Sequence, residues 1–145
     1  MKKARDLMTR DPDCVTQDDT LQRAASIMRD RDVGAVPVVS DSDSRRLVGI
    51  VTDRDIAIRH VAEGHREGHT VRDVMSAGTI ATAREEDSAD RVMELMKQHK
   101  VRRIPVLGED ERIVGMIAQA DLALDTRDDR KVGKTVEEIS EPGRK

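Results

Sequence analysis

One segment of this chain occurs twice. Thr20 to Val39, TLQRAASIMRDRDVGAVPVV, aligns with Ser88 to Leu107, SADRVMELMKQHKVRRIPVL, at a constant offset of 68 residues. A length of 145 residues suits either one compact domain or two small repeats sharing a core, and the internal repeat selects the second.

Each copy spells out the same order of elements. Leu21, Ala24, Ala25 and Met28 fall on Ala89, Val92, Met93 and Met96, the spacing of one helix face. Asp19 and Thr20, matched by Asp87 and Ser88, supply N-cap chemistry for the two helices. Short apolar runs follow, AVPVV at Ala35 to Val39 and IPVL at Ile104 to Leu107. Proline lacks a ladder donor, so Pro37 and Pro105 are expected near a sheet edge or a strand start. The polar turns DSDSRR and GEDER lead into LVGIV (Leu47 to Val51) and IVGMI (Ile113 to Ile117), which reads as a hairpin in each copy. Helices are expected to open near Asp53 and Gln119.

The segment leading into each copy repeats as well: ARDLMT at Ala4 to Thr9 corresponds to VRDVMS at Val71 to Ser76. A third echo, TVEEIS at Thr135 to Ser140, carries a capping-box pattern in Thr135 and Glu138 and predicts a short terminal helix packed on the domain. The division expected from sequence is a first repeat over 1–66, a second over 67–126 and a charged tail over 127–145.

Composition removes several function classes. The chain contains no Phe, Tyr or Trp, so it has no aromatic platform for stacking nucleic-acid bases, and a planar ligand must lie between aliphatic side chains. The net charge of −3 is spread with both signs interspersed, which argues against a nucleic-acid or membrane-surface binder. No apolar run reaches membrane-spanning length, and MKKARDLM lacks the apolar stretch of a signal peptide. Cys14 is the only cysteine, which points to a reducing cytoplasm and to a packed small side chain. His60, His65 and His69 read as exposed connector histidines in and around EGHREGH, with no metal site expected, because Gly64 and Gly68 break the helix that four-residue spacing would need. The seven methionines read as core filling. No Ser-His-Asp arrangement, dinucleotide fingerprint or Walker-type loop is present, so no catalytic machinery and no enzyme activity are expected.

The stretch GIVTDRDIA, Gly49 to Ala57, carries the remaining chemistry. T-x-x-D before an apolar run is a capping box. The same groups suit a ligand: Gly49 permits close approach of a backbone or a ligand, Thr52 offers a hydroxyl beside helical N–H groups, and Asp55 can accept from ribose hydroxyls. The helix, the V-P-V strand, the turn and the G-h-x-[ST]-x-x-D junction, present twice over residues 4 to 125, resemble a tandem pair of CBS domains, a Bateman module. The wording TDRDIA is similar to small stand-alone bacterial members.

The resemblance implies an α/β fold of two βαββα-type repeats packed about a pseudo-twofold axis. It also implies clefts that bind adenosine-containing ligands, and pairing of two modules into a homodimer. It places Thr52 at the phosphate and Asp55 at the ribose. The base would lie against Val36, Pro37, Ile104 and Pro105, met largely by main-chain groups. The second junction, GMIAQAD, keeps Asp121 for a ribose but has Ala118 where Thr or Ser is expected. Arg102 and Arg103 stand where family members meet phosphates, with Arg54 a further candidate, while the first copy has Gly34 and Ala35 there.

The function expected is a non-catalytic sensor binding AMP, ADP or ATP and acting on a separate protein target. Two alternatives stand beside it: an interaction module whose clefts are vestigial, and a module for S-adenosylmethionine, which needs no phosphate contact.

Overall fold

Helices and strands form where the two copies place them. The computed structural model describes residues 2–78 and 80–123, so the expected Thr135–Ser140 helix and the tail 127–145 lie outside the described residues. In chain order the elements are α1 (Ala4–Leu7), β1 (Thr9–Arg10), β2 (Val15–Thr16), α2 (Leu21–Arg31), β3 (Ala35–Val39) and β4 (Leu47–Thr52). Then α3 (Asp53–Ile56) runs into a π-helical turn (Ala57–Val61). The second copy supplies α4 (Val71–Val74), β5 (Ala83–Arg84), α5 (Ala89–His99), β6 (Arg103–Leu107), β7 (Ile113–Ala118) and α6 (Gln119–Ala123). This mixed α/β order matches the expected class.

The long helices start and stop by the same chemistry. Thr20 and Ser88 accept at their side-chain oxygens from the N–H groups of Arg23 and Arg91, at 3.0 and 3.1 Å. Both helices end on a left-handed non-glycine residue, Asp32 (φ 54°) and Lys100 (φ 57°). The next N–H groups, of Val33 and Val101, return to the carbonyls of Met28 and Met96 at 3.0 Å. Leu21, Ala24 and Met28 are buried along α2, but Ala25, expected on that stripe, is exposed. In α5 the whole stripe of Ala89, Val92, Met93 and Met96 is buried, and Leu95 joins it.

The prolines correct the edge expectation. Pro37 is the middle residue of β3, and β3 is the central strand of the sheet β2-β3-β4. Pro37 lies opposite Ile50, whose N–H and C=O both bond to Ser76, so the Pro37–Ile50 pair exchanges no ladder bonds. On the other side of β3, β2 begins to pair only at Val38, one residue later. Pro105 in β6 has the same relation to β5, whose pairing begins at Val106. Each proline therefore occupies a position at which no donor is required.

The lead-in segments pair across the repeat order. Thr9 and Arg10, from the first lead-in, lie antiparallel to Met116 and Gly115 of β7. Ser76, from the second lead-in, exchanges two backbone hydrogen bonds with Ile50 of β4, at 3.0 and 2.8 Å. Two compact units result, and the repeat limits 1–66 and 67–126 run across them. One comprises Pro12–Ile80 with Glu109–Ile113 and contains the sheet β2-β3-β4. The other comprises Met1–Asp11, Ala81–Gly108 and, among the described residues, the chain from Val114, and contains the sheet β1-β7-β6-β5. Each unit has its own core, centred on Val36, Val38, Val51 and Val71 in the first and on Met96, Ile104, Val106 and Ile117 in the second.

Glycine is demanded where lead-in meets strand. A Cβ on Gly49 would stand 2.7 Å from the Ser76 carbonyl oxygen and 3.0 Å from the Met75 sulfur. A Cβ on Gly115 would overlap the Met8 side chain, and Met8 and Met75 are equivalent residues of the two lead-ins. Gly49→Ala is expected to lower unfolding stability by about 1–3 kcal/mol through overpacking against backbone. Gly115→Ala should lower it by at least as much, because its Cβ would also stand 2.9 Å from Met8 Cβ, an atom that no side-chain rotation moves. Urea denaturation of both variants checks this, and a Gly49→Ala protein as stable as the wild type would contradict the close packing.

Candidate functional site

Each unit builds one strand-to-helix junction from equivalent residues. In the first, β4 ends at Thr52 and α3 begins at Asp53, whose N–H donates to the Gly34 carbonyl at 3.0 Å. In the second, the N–H of Gln119 at the start of α6 donates to the Arg102 carbonyl at 2.7 Å. These bonds hold the start of each helix against the residues that lead into β3 and β6. Gly34 and Ala35 are therefore set beside Thr52, and Arg102 and Arg103 beside Ala118.

The first junction is a complete capping box. Thr52 Oγ1 accepts from the Asp55 N–H at 3.0 Å, and Asp55 Oδ2 accepts from the Thr52 N–H at 3.0 Å. The threonine hydroxyl keeps its own proton free to donate. The second junction is half a box. Asp121 Oδ2 accepts from the Ala118 N–H at 2.7 Å, and Ala118 has no hydroxyl to answer it. In both junctions the backbone engages one carboxylate oxygen, Oδ2, which orients a half-buried acid and leaves Oδ1 as an acceptor. A carboxylate held in this way is suited to a neutral hydroxyl donor.

Arg102 and Arg103 are exposed, and among the described residues neither guanidinium has a hydrogen-bond or ion-pair partner. Arg54 is exposed too, and its bond within the junction comes from its backbone N–H to Asp53 Oδ1 at 2.8 Å. The aliphatic residues are placed differently from the expectation. Val36 and Ile104 are 1% and 0% exposed and belong to the two cores, and Pro37 and Pro105 are also buried. The side chains of Val36 and Ile104 do not line an open surface, because strand alternation turns them inward.

Two further features are visible in sequence only as residue types. Cys14 Sγ lies 3.2 Å from the Pro12 carbonyl and 3.4 Å from Arg45 Nη2, and burial pushes its thiol up, which suits a packed side chain. His60, His65 and His69 are not separate exposed connector residues: their rings converge, with His60 and His69 partly buried. Nothing in the linear spacing signals that convergence, which depends on how the connector turns. No described helix is long and apolar enough to cross a membrane.

Comparison with known proteins agrees with this architecture. The CBS domain family matches residues 4–60 and 71–124. The uncharacterized protein YlbB of Bacillus subtilis is 38% identical over 97% of this chain and 93% of its own length. Hypoxic response protein 1 of Mycobacterium tuberculosis is 37% identical over 85% of this chain and 84% of its own length. A crystal structure of Hypoxic Response Protein I with two coordinated zinc ions superposes with a TM-score of 0.75 at 36% identity, covering 86% of this chain and 98% of that one. The CBS domain pair of protein MJ0100, in complex with 5-methylthioadenosine and S-adenosyl-L-methionine, gives a TM-score of 0.75 at 25% identity over 86% of this chain and 94% of that one. With a βαββα-type repeat present twice and a glycine-strand-to-aspartate junction in each copy, the chain belongs to the CBS domain family.

Proposed function

We propose that the protein is a non-catalytic regulatory module of the cytoplasm that binds an adenosine-containing ligand at its strand-to-helix junctions, with an adenine nucleotide the preferred class. The observation that carries this reading is the matched pair of aspartates. Asp55 and Asp121 are oriented by the same backbone bond and each leaves one oxygen to accept from a ribose hydroxyl. The MJ0100 domain pair, which binds two adenosine compounds, supports the ligand class. The guanidiniums of Arg102 and Arg103, which have no partner among the described residues, and the Thr52 hydroxyl favour a ligand that also carries phosphate.

Ala118 favours a second reading, in which one junction takes a phosphate-free adenosyl compound such as S-adenosylmethionine. Regulation requires the ligand to prefer one arrangement of the protein, or of its homodimer, over another. The target in this reading is a separate protein.

Calorimetry and thermal melting with AMP, ADP, ATP and S-adenosylmethionine test the assignment. A ligand that binds the folded chain and not the unfolded one raises the melting temperature by mass action. Asp55→Ala should abolish the shift at the first junction and also lower apo stability by about 1 kcal/mol through loss of the cap. Thr20→Ala separates these effects, because it removes a cap of α2 and should leave the ligand shift intact. Loss of the shift in both variants, or no shift with any ligand at millimolar concentration, would reduce the junctions to caps and leave an interaction module.

Ala118→Thr supplies the hydroxyl that the second junction lacks. It is expected to raise stability by about 0.5–1 kcal/mol by completing the box. Chemical denaturation reads this directly, and a neutral or destabilising result would show that the helix start there has no room for the hydroxyl.

A further inference from the structure

Three of the four histidines meet at a place the ligand junctions do not use. His60 lies in the π-helical turn Ala57–Val61, which prolongs α3. Such turns interrupt the regular helical ladder and recur at functional sites. The Ala57 carbonyl accepts from the Ala62 N–H at 2.8 Å, and the His60 carbonyl accepts from the His65 N–H at 3.0 Å. Gly64 (φ 93°), His65 (φ 52°) and Gly68 (φ 80°) then turn the connector back over the helix. The left-handed backbone at His65 is a conformation a non-glycine residue rarely adopts.

The fold-back brings the rings together. Nδ1 of His60 and Nδ1 of His69 are 3.1 Å apart. The His65 ring stands edge-on to His60 at a centroid distance of 5.1 Å, and the His69 centroid is 5.2 Å from that of His60. Two imidazole nitrogens at such a separation either share one proton or face a common cation. Zinc–nitrogen bonds of about 2.0–2.1 Å in a tetrahedral site put neighbouring ligand nitrogens roughly 3.3 Å apart. The observed separation is close to that edge.

Charged groups of both signs stand near the rings. Arg59, next in sequence to His60, turns its guanidinium away, donating to the carbonyls of Val74 and Met75 at 3.1 and 3.2 Å. The Asp73 carboxyl, kept low chiefly by the Thr70 N–H, is also lowered by the charge of His69 and adds a negative group to the neighbourhood.

We propose that His60 and His69 bind a divalent transition-metal ion of the zinc class, with His65 joining as a third ligand by ring rotation, so that the ion clamps the connector onto the helical run that begins at Asp53. Among the described residues no three His, Cys, Asp or Glu side chains already stand in a metal-binding arrangement, so water completes the coordination and the third imidazole moves in on binding. This site is separate from the adenosyl reading and stands or falls without it.

The test uses the full chain, purified without a histidine tag, with Co2+ as a visible-absorption probe and Zn2+ as competitor. The expected result is uptake of about one Co2+ per chain with d–d bands, displaced by Zn2+. His60→Ala and His69→Ala should each weaken binding about tenfold or more, with His65→Ala less severe. His99→Ala should match the wild type. In parallel, a Zn2+ titration of the unsubstituted protein followed by imidazole NMR needs no variant to fold, and should perturb His60, His65 and His69 while leaving His99 unchanged. No uptake of either metal at submillimolar concentration, or a His60→Ala/His69→Ala double variant that binds like the wild type, would overturn the proposal. So would an NMR response confined to His99.

Discussion

The close approach of a lead-in segment to a strand glycine is the contact on which both units depend. In one unit the Ser76 backbone and Met75 lie against Gly49, and in the other Met8 lies against Gly115. The contact combines backbone hydrogen bonding with thioether packing, and a single Cβ would interrupt it. Its consequence is topological. The lead-in of the first copy completes the sheet made by the second, and the lead-in of the second completes the sheet made by the first. In the unit that holds Gly115 the pairing joins Thr9 to Met116 and closes only after most of the chain is in place, whereas in the other Ile50 meets Ser76, just beyond the first half of the chain.

The same arrangement sets up the junctions. Once a lead-in fixes the strand that ends at Thr52 or Ala118, the following helix starts at a defined point. Its first N–H then reaches a carbonyl at the start of the neighbouring strand, Gly34 or Arg102. The capping aspartate has two oxygens, and the backbone takes one. Helix capping thus occupies one oxygen of that side chain, and the ligand recognition proposed above would use the other. The two junctions differ in chemistry more than in geometry: the first has the hydroxyl and no nearby arginine before its strand, while the second has the arginines and no hydroxyl. Under the proposed reading, that asymmetry would give the two junctions different affinities for phosphate even where their backbones match.

Much of this is legible in the residues. The helix stripes, the caps at Thr20 and Ser88, the paired strands and the T-x-x-D box follow from interactions between neighbours three or four positions apart, and local chemistry decides them. Ala25 departs from its stripe because an alanine beside Ala24 fits the edge of that stripe, and the partner surface decides whether the edge is covered. Pro37 and Pro105 depart from the sheet edge for a similar reason. A missing donor matters only on the side where a neighbouring strand asks for one, and the short reach of β2 and β5 leaves that side unpaired at each proline. Val36 and Ile104 suit a ligand lining by residue type, yet the pleat turns them into the cores.

The sequence by itself determined the number of copies, the order of elements in each, the helix starts, and the acids and hydroxyl that equip the junctions. Periodicity, capping and turn chemistry act over a few residues and survive in any arrangement of the whole. Only the tertiary structure decided which lead-in joins which sheet, which apolar residues face inward, and that His60, His65 and His69 share one place. Those outcomes depend on long-range closure and on three left-handed backbone positions, at Gly64, His65 and Gly68, whose combined direction no local pattern encodes.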